Sequence, residues 1–315
     1  MSNVLRSRYV SVFILAAIAI VLPLFLGTGY ELRIMVLVAI FSLSAVGLSL
    51  LLGQAGQISL GHGAFMGIGA YAVAIGPAHY GIPPLVSAVL GLVLSCVVAY
   101  VIGRPILRLK GYYLAIATLG LSYMMSLFID SEPAFTNGPD GMYVPYISFG
   151  DYQVSGTLTW YCISVIALLI GITLAINLAT SPTGRAFRAL KDSEIAASVF
   201  GVDVSQKKVL AFVVAAGYAS VAGSLLALYD NFASPYAAGF MNSLELVTAV
   251  VIGGMGSIIG AVVGAAILTV VPQLLADYQN YDTIFIGSII ILFLVFLPQG
   301  IVPSLRAKIG KEAKL

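Results

Sequence analysis

An all-α polytopic membrane protein with about ten transmembrane helices is what the sequence predicts, and three observations carry that reading. Hydrophobic residues make up 60% of the 315 and charged residues only 9%, where a soluble domain carries about 25% charge. Mean hydropathy is +1.04. Apolar runs recur along the whole chain, many of them near the roughly 20 residues a helix needs to cross a bilayer. These features exclude a large soluble catalytic domain, and a net charge of +2 is too small to point to nucleic acid. A single transmembrane domain over 1–315, embedded in the lipid bilayer, is expected.

The first run, 10–26, follows Arg6 and Arg8, an arrangement similar to a secretory signal. The residues after it lack a small-x-small cleavage pattern, so it reads as a retained first span. The runs 34–52, 85–102, 112–129, 158–179, 209–229, 258–275 and 284–297 are each read as a helical span. Two further runs, 62–76 and 243–252, are short and Gly-rich or abut Gly-rich turns, and neither crosses comfortably as a straight helix. With both termini cytoplasmic, Arg6, Arg8, Arg104, Arg108, Lys110, Arg185, Arg188, Lys191, Lys207, Lys208, Arg306, Lys308, Lys311 and Lys314 all fall inside. Arg33 alone falls outside, as the positive-inside rule requires. Segments two to five then begin outside and seven to ten inside, which allows an inverted repeat with interrupted helices at corresponding places.

Polar side chains inside the predicted spans are few. Glu245 is the one acid within an apolar run, and its place near the start of 243–252 points to an interface, with a role in a transport pathway as the alternative. The stretch 53–69 gathers Gly53, Gly56, Gly61, Gly63, Gly67 and Gly69 around Gln54, Gln57, Ser59 and His62. Each Gly costs a helix about 1 kcal/mol relative to Ala, so either a tightly packed turn or a broken helix is expected. The broken helix, with Gln54, Gln57, Ser59 and His62 along a translocation path, is the preferred reading. His62 reads as a neutral hydrogen-bonding imidazole, because no Cys or carboxylate lies at metal-ligand spacing. Gly253, Gly254 and Gly256, continued by Gly260 and Gly264, have the small-residue spacing of closely packed helices. Cys96 and Cys162 each sit in an apolar run and read as free buried thiols.

The segment 180–208 is the longest cytoplasmic stretch. Ser181 suits an N-cap, Pro182 the first helical position and Gly201 a C-terminal stop. Ala186, Phe187, Leu190, Ala197 and Phe200 fall broadly on one face of a single amphipathic helix, with Arg185, Arg188, Lys191, Asp192 and Glu194 largely elsewhere. A lipid-surface helix is one reading; the mixed signs of charge suit a protein partner better. Asp203 opens a second short polar segment, 203–208.

Several of these stretches resemble the permease subunits of bacterial branched-chain amino-acid ABC importers. They are 53–65 with Gly67-Ile68-Gly69-Ala70-Tyr71, 109–120 (Leu109-Lys110-Gly111-Tyr112-Tyr113 onward), Ser181-Pro182-Thr183-Gly184-Arg185-Ala186, Glu194-Ile195-Ala196-Ala197 with Gly201, and Val251-Ile252-Gly253-Gly254-Met255-Gly256-Ser257. The resemblance implies a fold like that of type II ABC importers, in the cell's inner membrane. It also implies four kinds of partner: the bilayer, a second homologous permease, two cytoplasmic ATP-binding subunits and an external amino-acid-binding protein. The family's ATPase-docking element matches the loop around Glu194 to Gly201, so Arg185, Phe187, Glu194, Ala197 and Gly201 become the candidate coupling residues. Ile195 interrupts the usual Glu-Ala-Ala order. The external Thr136-Asn137-Gly138-Pro139-Asp140-Gly141 resembles a family loop, and is also what a plain turn cluster looks like.

No GxxxxGK[ST] loop accompanies any lysine, so the chain has no phosphate cradle of its own, and no nucleophile–base grouping marks it as an enzyme. Neither a cofactor nor a metal is called for. A secondary carrier or channel with broken helices is the competing class, disfavoured by the near absence of intramembrane charge; a polytopic membrane enzyme is more remote. Within the resemblance, urea and short amides are alternative substrates, because the matched motifs concern coupling and packing.

Overall fold

The computed structural model describes residues 2–25, 29–149, 152–274, 287 and 300–304. The expected tenth span and the cations from Arg306 onward lie outside the described residues. Nearly everything else is helical. Helix α1 (Ser2–Phe25) is followed by α2 (Gly29–Ser49), α3 (His62–Tyr80), α4 (Pro84–Ile106) and α5 (Tyr112–Ser131). A single turn, α6 (Pro133–Thr136), leads to α7 (Thr157–Thr180), α8 (Pro182–Asp192), α9 (Glu194–Val199), α10 (Val204–Asp230), α11 (Phe240–Gly253) and α12 (Ile258–Leu274). Among the described residues, five helices are long and apolar enough to cross a membrane: α2 with its π-helical extension to Gln54, α4, α5, α7 and α10. Shorter apolar helices cover Val12–Pro23, α11 and α12.

The core is built by α2, α3 and α10, whose small residues let the backbones approach. Phe65 of α3 meets Phe212 of α10 edge to face at 5.4 Å between ring centres, a geometry that favours aromatic pairs beyond their buried area. Around this centre α4, α7, α11 and α12 form an outer layer whose outward faces are apolar and exposed, as a lipid or partner environment requires. Tyr161 of α7 donates to the Ala19 carbonyl of α1 at 2.7 Å, tying the first helix to the bundle. Both cysteines are free, but neither is fully buried: Cys96 is half-buried and Cys162 is exposed, because α7 turns that side outward.

The two ends of the bundle differ. One end carries α6 and two pairs of two-residue strands. In the first, β1 (Met142–Tyr143) is antiparallel to β4 (Phe232–Ala233); in the second, β2 (Ser148–Phe149) pairs with β3 (Tyr152–Gln153). There Asn137, at φ 63, donates to the Gly141 carbonyl at 2.7 Å and closes the loop. The other end carries α8 and α9. One continuous helix is expected here, and the chain makes two, because Ser193 is extended (φ −163, ψ 117) and caps α9 by accepting from Ala196. The expected short polar segment 203–208 is likewise the first turn of α10, capped by Asp203.

Candidate functional site

The α8–α9 end is a hub of polar contacts to backbone that the helices leave free. Phe187 and Leu190 are buried against the bundle, which turns the cationic side of α8 toward the end of α2. Lys191 donates from Nζ to the Gly53 carbonyl at 2.9 Å. Arg188 donates to the Ala179 carbonyl at 2.7 Å and to Gln54 Oε1 at 3.3 Å. Gln54 in turn donates from Nε2 to the Gly256 carbonyl at 2.9 Å. A Cβ on Gly53 would collide with the Gly256 backbone, and one on Gly253 with the Gly260 carbonyl. The two glycine breaks therefore touch each other and α8 at one place.

Helix rise places the other break along the bundle. Ser243 lies ten residues before Gly253 on α11, about 15 Å up the helix, and Ser122 lies ten residues after Tyr112 on α5, also about 15 Å. The two hydroxyls meet at 3.1 Å. Gly63, in the first turn of α3, donates its N–H to Ser243 at 2.8 Å, so α3 begins beside this meeting point, inside the bundle. The stretch between α2 and α3 climbs there without helix, and the protein satisfies its backbone: Leu60 N–H donates to Thr118 Oγ1 at 2.9 Å and its carbonyl accepts from Ser122 at 3.1 Å. Non-helical chain at membrane depth requires such partners. Helix α11 also begins inside, its preceding Ala238 and Gly239 packed on Gly67 and Gly63.

The four candidate pathway residues are thus separated in role. Gln54 belongs to the α8 hub. Gln57 and Ser59 are buried and bonded within their own loop, Gln57 to the Ala55 carbonyl at 3.2 Å and Ser59 to Gly61 N–H at 3.3 Å. His62 is buried with Nε2 3.1 Å from the Ser44 carbonyl, so as a neutral donor it fastens α3 to α2. Glu245, exposed on the chain's surface, stands eight residues, about 12 Å along α11, from Gly253.

A family model for the permease component of branched-chain amino acid transport systems matches residues 30–294. The chain belongs to this permease family. It is 28% identical over 319 residues to the high-affinity branched-chain amino acid transport permease LivM of Salmonella typhimurium, covering 94% of this chain and 75% of that one. It is 30% identical over 285 residues to LivH of Escherichia coli K12, covering 83% and 90%. With BraD of Pseudomonas aeruginosa it shares 27% over 280 residues, 83% and 91% of the two chains. No solved structure matches. The permease is an integral membrane transport subunit, not an enzyme.

Of the permease's candidate coupling residues, Phe187 and Ala197 are buried in the chain's own core. Neither can anchor a partner, and the docking role expected of Phe187 is corrected on that ground. Glu194 is also engaged internally, 2.5 Å from Lys208 Nζ. Arg185 lies in the first turn of α8, and Gly201 adopts φ 79 after α9. What the sequence reading missed is that Ile195 and Val199 join Phe200 on the outer side of α9, 77%, 78% and 85% exposed respectively. The available signal was their i, i+4, i+5 spacing, the mirror of the buried Ala197 face.

Proposed function

We propose that this permease is one half of an ATP-driven importer of branched-chain, hydrophobic amino acids in the inner membrane. In this reading it works with a second permease, two cytoplasmic ATPases and an external binding protein. The observation that carries the reading is the α8–α9 hub, where one amphipathic element holds both glycine breaks while presenting three unpartnered apolar side chains outward. A push on α9 would reach Gly53 and Gly256 through Lys191, Arg188 and Gln54. The LivM, LivH and BraD relatives are branched-chain amino acid transport permeases, which supports the substrate class. The urea and amide alternative has no such support.

Two interrupted elements meeting inside the bundle support an inverted repeat. One half runs down α2, returns without helix into the bundle and leaves along α3. The other runs up α10, returns through 231–239 and leaves along α11. Alternating access would then be a rocking of these halves.

Docking is tested with Phe200→Asp. Truncating a central interface anchor costs about 2 kcal/mol or more, roughly thirtyfold in affinity. Co-purification of the ATPases from detergent should be lost, with permease abundance unchanged. Orientation is tested in a background lacking Cys96 and Cys162: a cysteine at Asp140 should react with an impermeant reagent applied outside, and one at Ser205 only after the membrane is opened. External labelling at Ser205 would reverse the topology.

A further inference from the structure

Where α4 turns into α5, the chain presents Arg104, Arg108 and Lys110, all exposed. Among the described residues none of the three meets an acid; the ion pairs there, Arg33 with Asp230 and Lys208 with Glu194, lie elsewhere. The charges are nonetheless held in place. Leu107, between them, is buried, and Gly103 lies so close to the Phe212 ring that an added Cβ would come within 3.1 Å of it. The turn also closes on its own backbone, with Leu107 N–H donating to the Gly103 carbonyl at 2.9 Å and Leu109 N–H to the Ile106 carbonyl at 3.0 Å. Gly111, at φ 55, then leads into α5. Arg104 is fixed further by Tyr100: its Cζ stands 4.4 Å from the ring centre, a cation–π contact, and it donates to the hydroxyl.

What surrounds these cations tells what they meet. Leu85, Val89, Val93, Val97 and Val101 are exposed, and their four-residue spacing makes them one apolar stripe along α4. From Leu85 to Arg104 the helix rises about 28 Å, close to a hydrocarbon core about 30 Å thick. The charges begin where the stripe ends. Tyr100, Tyr112 and Tyr113 are exposed at the same end, and tyrosine favours the level of lipid headgroups. Geometry also separates the turn from the surface expected to meet the ATPases. Gly103 packs on Phe212, which lies eight residues, about 12 Å along α10, from Val204, so the turn stands back from the α9 tip. A cationic, tyrosine-rimmed patch continuous with a bare apolar wall is complementary to an anionic head joined to hydrocarbon tails.

We propose that the α4–α5 turn binds an anionic phospholipid, whose phosphate accepts from Arg104, Arg108 and Lys110 and whose acyl chains lie along the stripe from Leu85 to Val101. With its place set by Tyr100, Arg104 keeps further N–H groups of its planar fork for the phosphate oxygens. The site depends neither on the substrate class nor on the docking role of α9.

The test uses the complete complex, stripped of lipid in detergent and mixed with phosphatidylglycerol or phosphatidylcholine, with retained lipid counted by native mass spectrometry. The unsubstituted complex should retain phosphatidylglycerol in clear preference. Each cation near an anionic lipid surface contributes about fivefold in affinity, so replacing Arg104, Arg108 and Lys110 together by Gln should lower that retention at least tenfold and leave phosphatidylcholine unaffected. Lys207→Gln, in the first turn of α10 at the same end of the bundle, should keep the preference. No preference in the unsubstituted complex, an unchanged preference in the triple variant, or an equal loss in Lys207→Gln overturns the site. Loss of the ATPases from the triple variant with lipid retention unchanged assigns the turn to a protein partner and overturns it too. Should the triple variant be recovered unfolded, Arg108→Gln with Lys110→Gln decides, because it leaves Arg104 on Tyr100: phosphatidylglycerol retention should fall several-fold, and an unchanged value contradicts the proposal.

Discussion

Glu194→Ala is expected to lower the melting temperature of the detergent-solubilised permease by about 5 °C or more, a larger loss than any other single change at the α8–α9 end. The reason is its partner. Lys208, in the first turns of α10, is only 4% exposed, and its Nζ lies 2.5 Å from Glu194, which is 29% exposed. Removing one member of a buried pair leaves the other charge without compensation and costs about 3–5 kcal/mol. The partial exposure of Glu194 puts the expected cost near the lower figure, about 3 kcal/mol, and at roughly 2 °C per kcal/mol this gives the stated shift. The effect is asymmetric. Lys208→Met removes the buried charge and leaves an acid that water can reach, so it should cost much less. Combining the two substitutions should restore most of the loss, because an apolar replacement of a buried pair is often neutral. Additive losses in the double variant would show that the pair does not hold α9 against α10.

Gly253→Val should be the most damaging change inside the bundle. A Cβ at that position would collide with the Gly260 carbonyl, so α11 and α12 would have to separate by the thickness of a methyl group. Opposite, a Cβ on Gly264 would collide with the Ala249 carbonyl, so the contact continues along the hairpin and cannot relax at one end. Overpacking of this kind costs about 1–3 kcal/mol when side chains can shift; a backbone carbonyl cannot, and the upper figure or more is expected. Because Gly256 also touches Gly53, the distortion would reach the Gln54 and Lys191 bonds. Uptake should be abolished, and the fraction of permease recovered as a monodisperse species should fall by half or more. Gly120→Val, where nothing lies within 4 Å, is the control and should behave like the parent.

Composition and apolar period made the membrane class legible, and the cations around 104–110 and 185–208 made the loop ends legible. Glycine content located both helix breaks. What the sequence could not convey was depth. The run 243–252 reads as a short span with Glu245 at its edge, and only the packing of Gly239 on Gly63 puts the start of α11 in the interior. The 180–208 loop shows the same limit. Its apolar residues mark an amphipathic element, but the break at Ser193 rotates α9 relative to α8. Phe187 and Phe200, placed on one face by a continuous helix, end up respectively inside the core and in solvent. Glu194 reads as a partner's contact because Lys208 is fourteen residues away, and the turn at Gly201 that brings them together leaves only a faint trace in the sequence.

The central claim, that this permease passes a hydrophobic amino acid only as part of an ATP-driven assembly, is tested most directly by accumulation of radiolabelled leucine in proteoliposomes. Four preparations are needed: the permease alone, the permease with its second permease, both with the ATPases, and the complete set with the binding protein. The account predicts accumulation above the external concentration in the complete set with ATP inside, none in its absence, and none by the permease alone under a proton or sodium gradient. Leucine concentrated by the permease alone at the expense of an ion gradient would contradict it and make the chain a secondary carrier.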